Sequence, residues 1–324
     1  MRVTRLLDAP IVTPASHPSI GENIQGPSLI RVPDWVEAPL GHYYLYFADH
    51  KGRSIRLAYA DALIGPWRVH APGSLHLEDS PFPSTPPESP PGAIERVRAH
   101  YEAAGVRVPH DIAMDLTTPH IASPDVHVDA GNQRIVMYYH GLEAFGQQVT
   151  RVAVSKDGLH FDAHREILGR SYWRAFAHAG DVYALAMPGH FYRSASALGG
   201  FEEGPRLFDD SMRHSALVVR GDTLHVFWTR VGDAPEAILH STIDVSKPWA
   251  EWSEQGGAAV LKPERSWEGA GAPVLPSMRS VAYGRVHQLR DPAIYEEDGR
   301  TYLLYAVAGE SGIAIAEVHF QPDP

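Results

Sequence analysis

Arg290-Asp291-Pro292 sets an ion-forming pair and a proline directly in front of an apolar run, residues 293–295. A carboxylate or guanidinium is costly to bury unless it is paired or put to use. The same kind of polar lead accompanies four other apolar runs. Asn23 and Ser28 belong to the first, His120, Ser123 and Asp125 to the second, Arg174 to the third, and Arg213 with His214 to the fourth. Brought to one place, carboxylates, imidazoles and guanidinium groups are the side chains of proton transfer and of hydroxyl or anion recognition. Asp49, His50 and His140 close second apolar runs, in FADH and YYHG, where they either reach the same place or cap hairpins. The 19 histidines include no His-x-His, and the His160/His164 spacing would join two rings only on a helix, whereas it falls in a predicted outer strand. No catalytic metal centre is expected.

Those residues converge only if the runs that carry them are arranged around one axis, and the chain repeats itself in a way that does this. A polar lead, a short apolar run, a turn with Gly or Asp, a second apolar-aromatic run and a third strand occur five times. The copies start at Gly26, Ala122, Tyr172, Arg213 and Arg290. The runs are short, bounded by turn residues and rich in β-branched and aromatic residues, and Leu224, Val226 and Trp228 fall two apart, as along one face of a strand. Tails such as GPWRVH (65–70) and DGLHFDAH (157–164) supply fourth, outer strands. A repeated unit of four antiparallel strands is a propeller blade. A β-sandwich also offers many short strands, but it does not repeat a four-strand unit. The expected fold is all-β, a five-bladed β-propeller forming a single domain over 1–324. The fifth copy has three good strands, and VTRLLDAPIVTP near the N-terminus is expected to supply its fourth and close the ring. Two insertions interrupt it. One, 71–119, carries a proline-rich stretch and an amphipathic helix, AIERVRAHYEAAGV; the other, 255–288, carries Trp267 and Glu268.

Composition narrows the function classes. A hydrophobic content of 44% suffices for a packed interior, and the absence of cysteine removes disulfides and thiolate metal sites. The formal charge of −11 disfavours nucleic acid and anionic membrane as partners but not neutral ligands such as sugars. No signal-peptide-like apolar segment opens the chain, so a cytoplasmic location is expected. There is no phosphate-binding Gly-rich loop with its lysine and no serine nucleophile elbow. The oligomeric state is not readable.

LRDPAIYEEDGRTYLLYA and GPSLIRVPD followed by YYLYFAD resemble the blade motif of the five-bladed glycosidases, the glycoside hydrolase family 43, 32 and 117 type. The resemblance implies an axial pocket for a small oligosaccharide or glycoside, with carboxylates from different blades acting as acid and base and no cofactor required. It makes Asp291 the candidate base, its pKa held down by Arg290, and Glu268, in SWEGAGAP, the candidate acid, its pKa raised by desolvation. Asp125 would orient or modulate. Asn23, Asp49, His120, His140, Arg174, Arg213, His214 and Arg290 would bind substrate, and Trp173 and Trp267, like Tyr172, offer faces for a sugar ring. The resemblance also allows a structural calcium ion near the axis, at His214 or His287. The family pattern has a carboxylate at the opening of the first blade, where this chain has Gln25-Gly26-Pro27. A non-catalytic sugar-binding propeller, and a lyase or phosphorylase binding an acidic group through Arg174, Arg213 and Arg290, therefore stand beside hydrolysis as alternatives.

Overall fold

In the computed structural model, which describes residues 1–103 and 111–320, the five repeats form five antiparallel sheets. The strands that begin them are Gln25–Arg31, Ile121–Asp129, Arg174–His178, Met212–Arg220 and Arg290–Glu297. Each is followed outward by its second, third and outer strands, so the blades are successive in sequence. The fifth blade closes as expected. Arg2–Arg5 pairs antiparallel with Ile313–His319, Arg2 opposite His319 and Arg5 opposite Ala316.

The apolar interior is divided into wedges between neighbouring blades. Tyr44, Tyr46 and Leu57 of the first blade pack with Met137 and Tyr139 of the second. Leu45 and Phe47, pointing the other way from the same strand, pack with Leu304 and Ile315 of the fifth. Alternation along one strand thus serves two interfaces, which is why the second strands read as unbroken apolar-aromatic runs rather than as alternating ones. Tyr44, Tyr46 and Tyr305 are fully buried, and burial of a side chain this large contributes roughly 2–3 kcal/mol.

The feature that positions the site is a bulge near the start of the inner strands. Register slips between Gln25 and Ser28, Ala122 and Asp125, Met212 and Ser215, and Arg290 and Ala293. In three of these the bulge holds a left-handed residue followed by proline, at Gly26-Pro27, Ser123-Pro124 and Asp291-Pro292. A bulge re-aims a side chain, and the proline contributes no ladder donor at a place where the ladder is already broken. Gly26 shows why the first blade carries no carboxylate there. Its φ is +63°, and a Cβ would lie 2.9 Å from Ser123 Cα, so any side chain would be strained and would collide with backbone.

The insertions are shorter than the sequence suggested. Residues 71–76 belong to the outer strand Arg68–His76, and 255–261 to the outer strand Glu254–Leu261. The expected helix forms as α1 (Ala93–Ala103); the last residues assigned to it, 104–106, lie outside the described ones. A second helix, α2 (Ile112–Thr117), is capped by Asp111, whose carboxylate accepts from Met114 N. No helix among the described residues is long and apolar enough to cross a membrane.

Candidate functional site

The inner strands begin at one mouth of the ring, the top, and end at the other. Around the top mouth two carboxylate–imidazole couples flank Tyr172. This residue precedes the third inner strand with φ +59°, and its ring lies 4.2 Å from that of His140 and 4.7 Å from that of His214. In the first couple, His214 Nδ1 stands 2.8 Å from Asp291 Oδ1, close but poorly directed for a hydrogen bond, and Asp291 Oδ2 has no partner. In the second, Glu310 Oε1 lies 3.1 Å from His50 Nδ1. His50 Nε2 is 3.3 Å from the Tyr172 hydroxyl. With Nδ1 donating to the carboxylate, Nε2 is left to accept from the phenol. Asn23 ties this couple together, donating to Glu310 Oε2 at 2.6 Å and accepting from His50 N.

The two carboxylates are driven in opposite directions. Burial and the neighbouring Glu310 push Asp291 up to about 7, against the pull of Arg213. Burial would also raise Glu310, but His50, Arg290 and Asn23 overcome it and hold Glu310 well below the usual carboxylate range. Arg290 does pull Asp291 down, as expected, but burial and Glu310 outweigh it and the net shift is upward. The Arg290 guanidinium turns away, donating to Gln288 Oε1, to the Ser280 carbonyl and to Glu310 Oε1 at 2.8 Å. It also lies 3.3 Å from Glu236 Oε2, which Arg213 shares at the same distance. Pairs of carboxyl groups driven apart in this way are the arrangement that acid–base chemistry uses.

Beside these groups lies a cavity of about 430 Å³ lined by His50, Lys51, Asp115, Tyr172, Arg213, His214, Arg279 and Ser280, with Tyr101 of α1. Its one carboxylate is Asp115, on α2, which accepts from Ser280 Oγ at 2.6 Å. Burial lowers the Lys51 ammonium, whose Nζ donates to the Asp115 carbonyl. His120 and His140 stand behind, both neutral. Burial first, and then Lys51, brings His120 down to about 3, and burial with His120 holds His140 well below its ordinary value. Both His140 nitrogens and His120 Nε2 are without hydrogen-bond partners.

Other candidates fall elsewhere. Arg174 does not line this cavity. Its side chain crosses the axis and donates to the carbonyls of Pro27, Pro124, Ser215 and Pro292, one from each of the other inner strands. With Asp125, 3.3 Å away, and His127 it lines a cavity of about 570 Å³ at the bottom mouth. Glu268 is fully buried and fully engaged, by Arg5, by the backbone N–H of Glu264 and Arg265, and by the Tyr305 hydroxyl. It fastens the N-terminal strand to the second insertion, a position that does not suit a proton donor to substrate. Trp267 and Asp49 line a neighbouring cleft with Asn23 and Glu310, and Asp49 also caps its own turn through Lys51 N. Trp173 is packed against Tyr192, ring to ring at 4.6 Å, in the wedge between blades two and three. Its neighbour Tyr172 takes the place at the mouth.

Sequence reasoning missed Glu236, Glu310, Lys51 and Arg279. Glu310 and Lys51 sit, like His50, in turns between second and third strands, which reach the same mouth. Aligning those turns between repeats, as well as the strand openings, would have found them. Of the two histidines named for a calcium ion, His287 Nε2 lies against the Pro263 carbonyl, and His214 stands beside Asp291 Oδ1 with the charges of Arg213 and Arg290 nearby. Among the described residues no three His, Asp or Glu side chains form a group able to hold a metal.

Comparison with profiles of known protein families gives no match. Uncharacterized protein R118 of Acanthamoeba polyphaga mimivirus is 34% identical over 322 residues, covering 91% of this chain and 83% of that one. Among solved structures, a GH130 structure, from the family of mannoside phosphorylases that contains glycoside hydrolases targeting β-1,2 mannosidic linkages in Candida mannan, has a TM-score of 0.61 at 12% identity, covering 99% of this chain and 96% of that one. CoXyl43, a GH43 β-xylosidase/α-arabinofuranosidase from a compost microbial metagenome, has a TM-score of 0.58 at 12% identity and the same coverage. The GH43_1 enzyme of Xanthomonas citri has 0.57 at 14%, covering 99% and 93%. At such identities the likeness is one of fold, the five-bladed β-propeller.

Proposed function

Because the chain belongs to one family with the uncharacterized mimivirus protein R118, its chemistry has to be read from its site, and we propose that it is a glycoside hydrolase acting on a small oligosaccharide or glycoside at the top mouth. The observation that carries this reading is Asp291. It sits on a left-handed bulge, it has one unpartnered oxygen, its carboxyl is poised at about 7, and it stands 2.8 Å from a histidine that lines the cavity.

Protonated Asp291 gives its proton to His214 Nδ1 as His214 Nε2–H passes its own to the leaving glycosidic oxygen, and Asp291 is left ionised. Its role is thus that of the acid rather than the base that the resemblance implied. Asp115, the carboxylate of the cavity lining, takes the proton of the attacking water. Tyr172, tethered through His50 to ionised Glu310, holds the floor of the pocket and offers a fixed hydroxyl to the sugar. Glu268 has no part in the reaction.

The reading is tested by a screen of aryl glycosides and oligosaccharides, with and without inorganic phosphate. Phosphate-independent release of reducing sugar, lost in Asp291→Asn, is expected. Turnover that requires phosphate would make the protein a phosphorylase, and undiminished turnover in Asp291→Asn would move the acid elsewhere.

A further inference from the structure

Arg279 is a half-buried guanidinium with no carboxylate at ion-pair distance among the described residues. Its two hydrogen bonds go to Met187 Sδ and to the carbonyl of Asp210, and no ion pair to it occurs among the described residues. A guanidinium in such a place ordinarily finds a carboxylate or phosphate, because its fork of donors matches their oxygens. Arg279 lines the top cavity with Arg213 and Lys51. Burial and the nearby charge of Arg213 act against its protonated form, and Tyr101, Tyr172 and Asp210 offset them only in part.

The protein's own acids do not pair with it: Asp210, which favours its charged form from a distance, is bound to Arg206. Glu236 is shared between Arg213 and Arg290, and Glu310 between Arg290 and His50. Asp115 is engaged by Ser280 Oγ and lies 4.0 Å from Lys51 Nζ. The arrangement is also built rather than incidental. Arg213 and Arg290 both donate to the carbonyl of Ser280, and Ser280 itself has φ +122°, a conformation that a non-glycine residue keeps only when its surroundings impose it. The residue so fixed is the immediate neighbour of Arg279. All this lies in a chain with a formal charge of −11, whose overall field repels anions.

We propose that the top cavity takes a sugar carrying an oxyanion, a carboxylate or a phosphate ester, which Arg279 receives together with Arg213 and Lys51. This rests on the reading of the cavity as a sugar site but not on the hydrolytic chemistry assigned to it. The oxyanion completes the ion pair that Arg279 lacks, and Tyr172 lies under the ring that bears it.

Calorimetric titration of the full chain separates the cases, with glucuronate, galacturonate, glucose 6-phosphate, glucose and inorganic phosphate as probes. At least one charged sugar is expected to bind ten-fold or more tightly than glucose. Arg279→Gln should remove that advantage, so that the charged sugar binds no more tightly than glucose does to the same variant. Arg279→Lys, which keeps the charge without the fork, should retain part of it. Equal binding of glucose and the charged sugars, or no loss in Arg279→Gln, would overturn the proposal. So would inorganic phosphate binding as tightly as glucose 6-phosphate, which would mark a site for the free anion. Binding of charged sugars without any turnover would count against the hydrolase and leave this inference standing.

Discussion

The propeller has two mouths, and they differ in how completely their charged groups are paired. At the bottom, a cavity of about 570 Å³ is lined mainly by charged groups that are paired. Asp125 is held by Arg174, His127 and Ala175 N, Glu297 by Arg31 and the Tyr43 hydroxyl, and Glu296 by Arg220 and Thr301. At the top, unfinished groups stand behind the lining of a cavity of about 430 Å³. Asp291 Oδ2, Glu236 Oε1 and three nitrogens of His120 and His140 have no hydrogen-bond partner, and Arg279 has no carboxylate. Each buried polar atom left unpaired costs about 1–3 kcal/mol, and a fold tolerates such costs where a ligand or a reaction needs the free valence. Incomplete satisfaction, rather than volume, separates a site from a hollow.

The largest test of this contrast is Asp291→Asn. On a confirmed glycoside it should reduce kcat by about 10³-fold, in the range for loss of a general acid. It should also stabilise the protein in alkali. Because the folded carboxyl is raised from 3.8 to about 7, its contribution is fully present below 3.8 and is lost as pH rises through 7. The variant, which has nothing to ionise, should melt above the wild type at pH 8 in thermal scans. Glu268→Gln should do the reverse. Removing one partner of a buried ion pair costs about 3 kcal/mol, so chemical denaturation should show a large loss of stability while kcat stays nearly unchanged. A comparable fall in kcat would return Glu268 to the mechanism. Tyr172→Phe should cost about 10-fold in kcat, since one hydrogen bond to substrate is lost and the ring remains. Its KM should rise as well, and unaltered kinetics would place the hydroxyl outside the pocket. The smallest effect belongs to the bottom mouth. Against burial, Asp125 raises the pKa of His127, so the pair stabilises below pH 6.5 and fades as pH rises through the raised value. His127→Asn should lower the melting temperature more at pH 5 than at pH 8, with turnover untouched at both.

The blades were legible because each repeat states its strands and turns locally, and copies at five positions corroborate one another. The openings of the inner strands were legible for the same reason, and they yielded Asp291, His214, His120, Arg213 and Arg290 at the top mouth. What failed was parity and reach. Trp173 and Tyr172 are adjacent, so they face opposite ways, and the left-handed backbone at Tyr172 decided which one the mouth received. Arg174 opens an inner strand, yet its length carried the guanidinium across the axis. Arg290 precedes Asp291 in sequence, but its charge is directed at Glu236 and Glu310, so sequence adjacency misjudged the sign of the Asp291 shift. Glu310 and Lys51 lie in equivalent turns of two repeats that carry no apolar pattern and show only when the turns are aligned, and Arg279 lies in an insertion, where no repeat announces it.

Closure of the ring by Arg2–Arg5 has a consequence in time. Its partner strand, Ile313–His319, is the last element described and the N-terminal strand the first. At ordinary rates of synthesis roughly 15–60 s separate their emergence from the ribosome. Through that interval the first strand is an unpaired edge, open to the wrong neighbour. Its sequence, Arg-Val-Thr-Arg, bears a cation at each end, the kind of charge that discourages premature pairing. Arg5 has a destination that exists only once the second insertion has been made, the buried carboxylate of Glu268. The charge on Arg5 that helps keep the strand solitary at first thus also helps to recognise the moment when the circle can be completed.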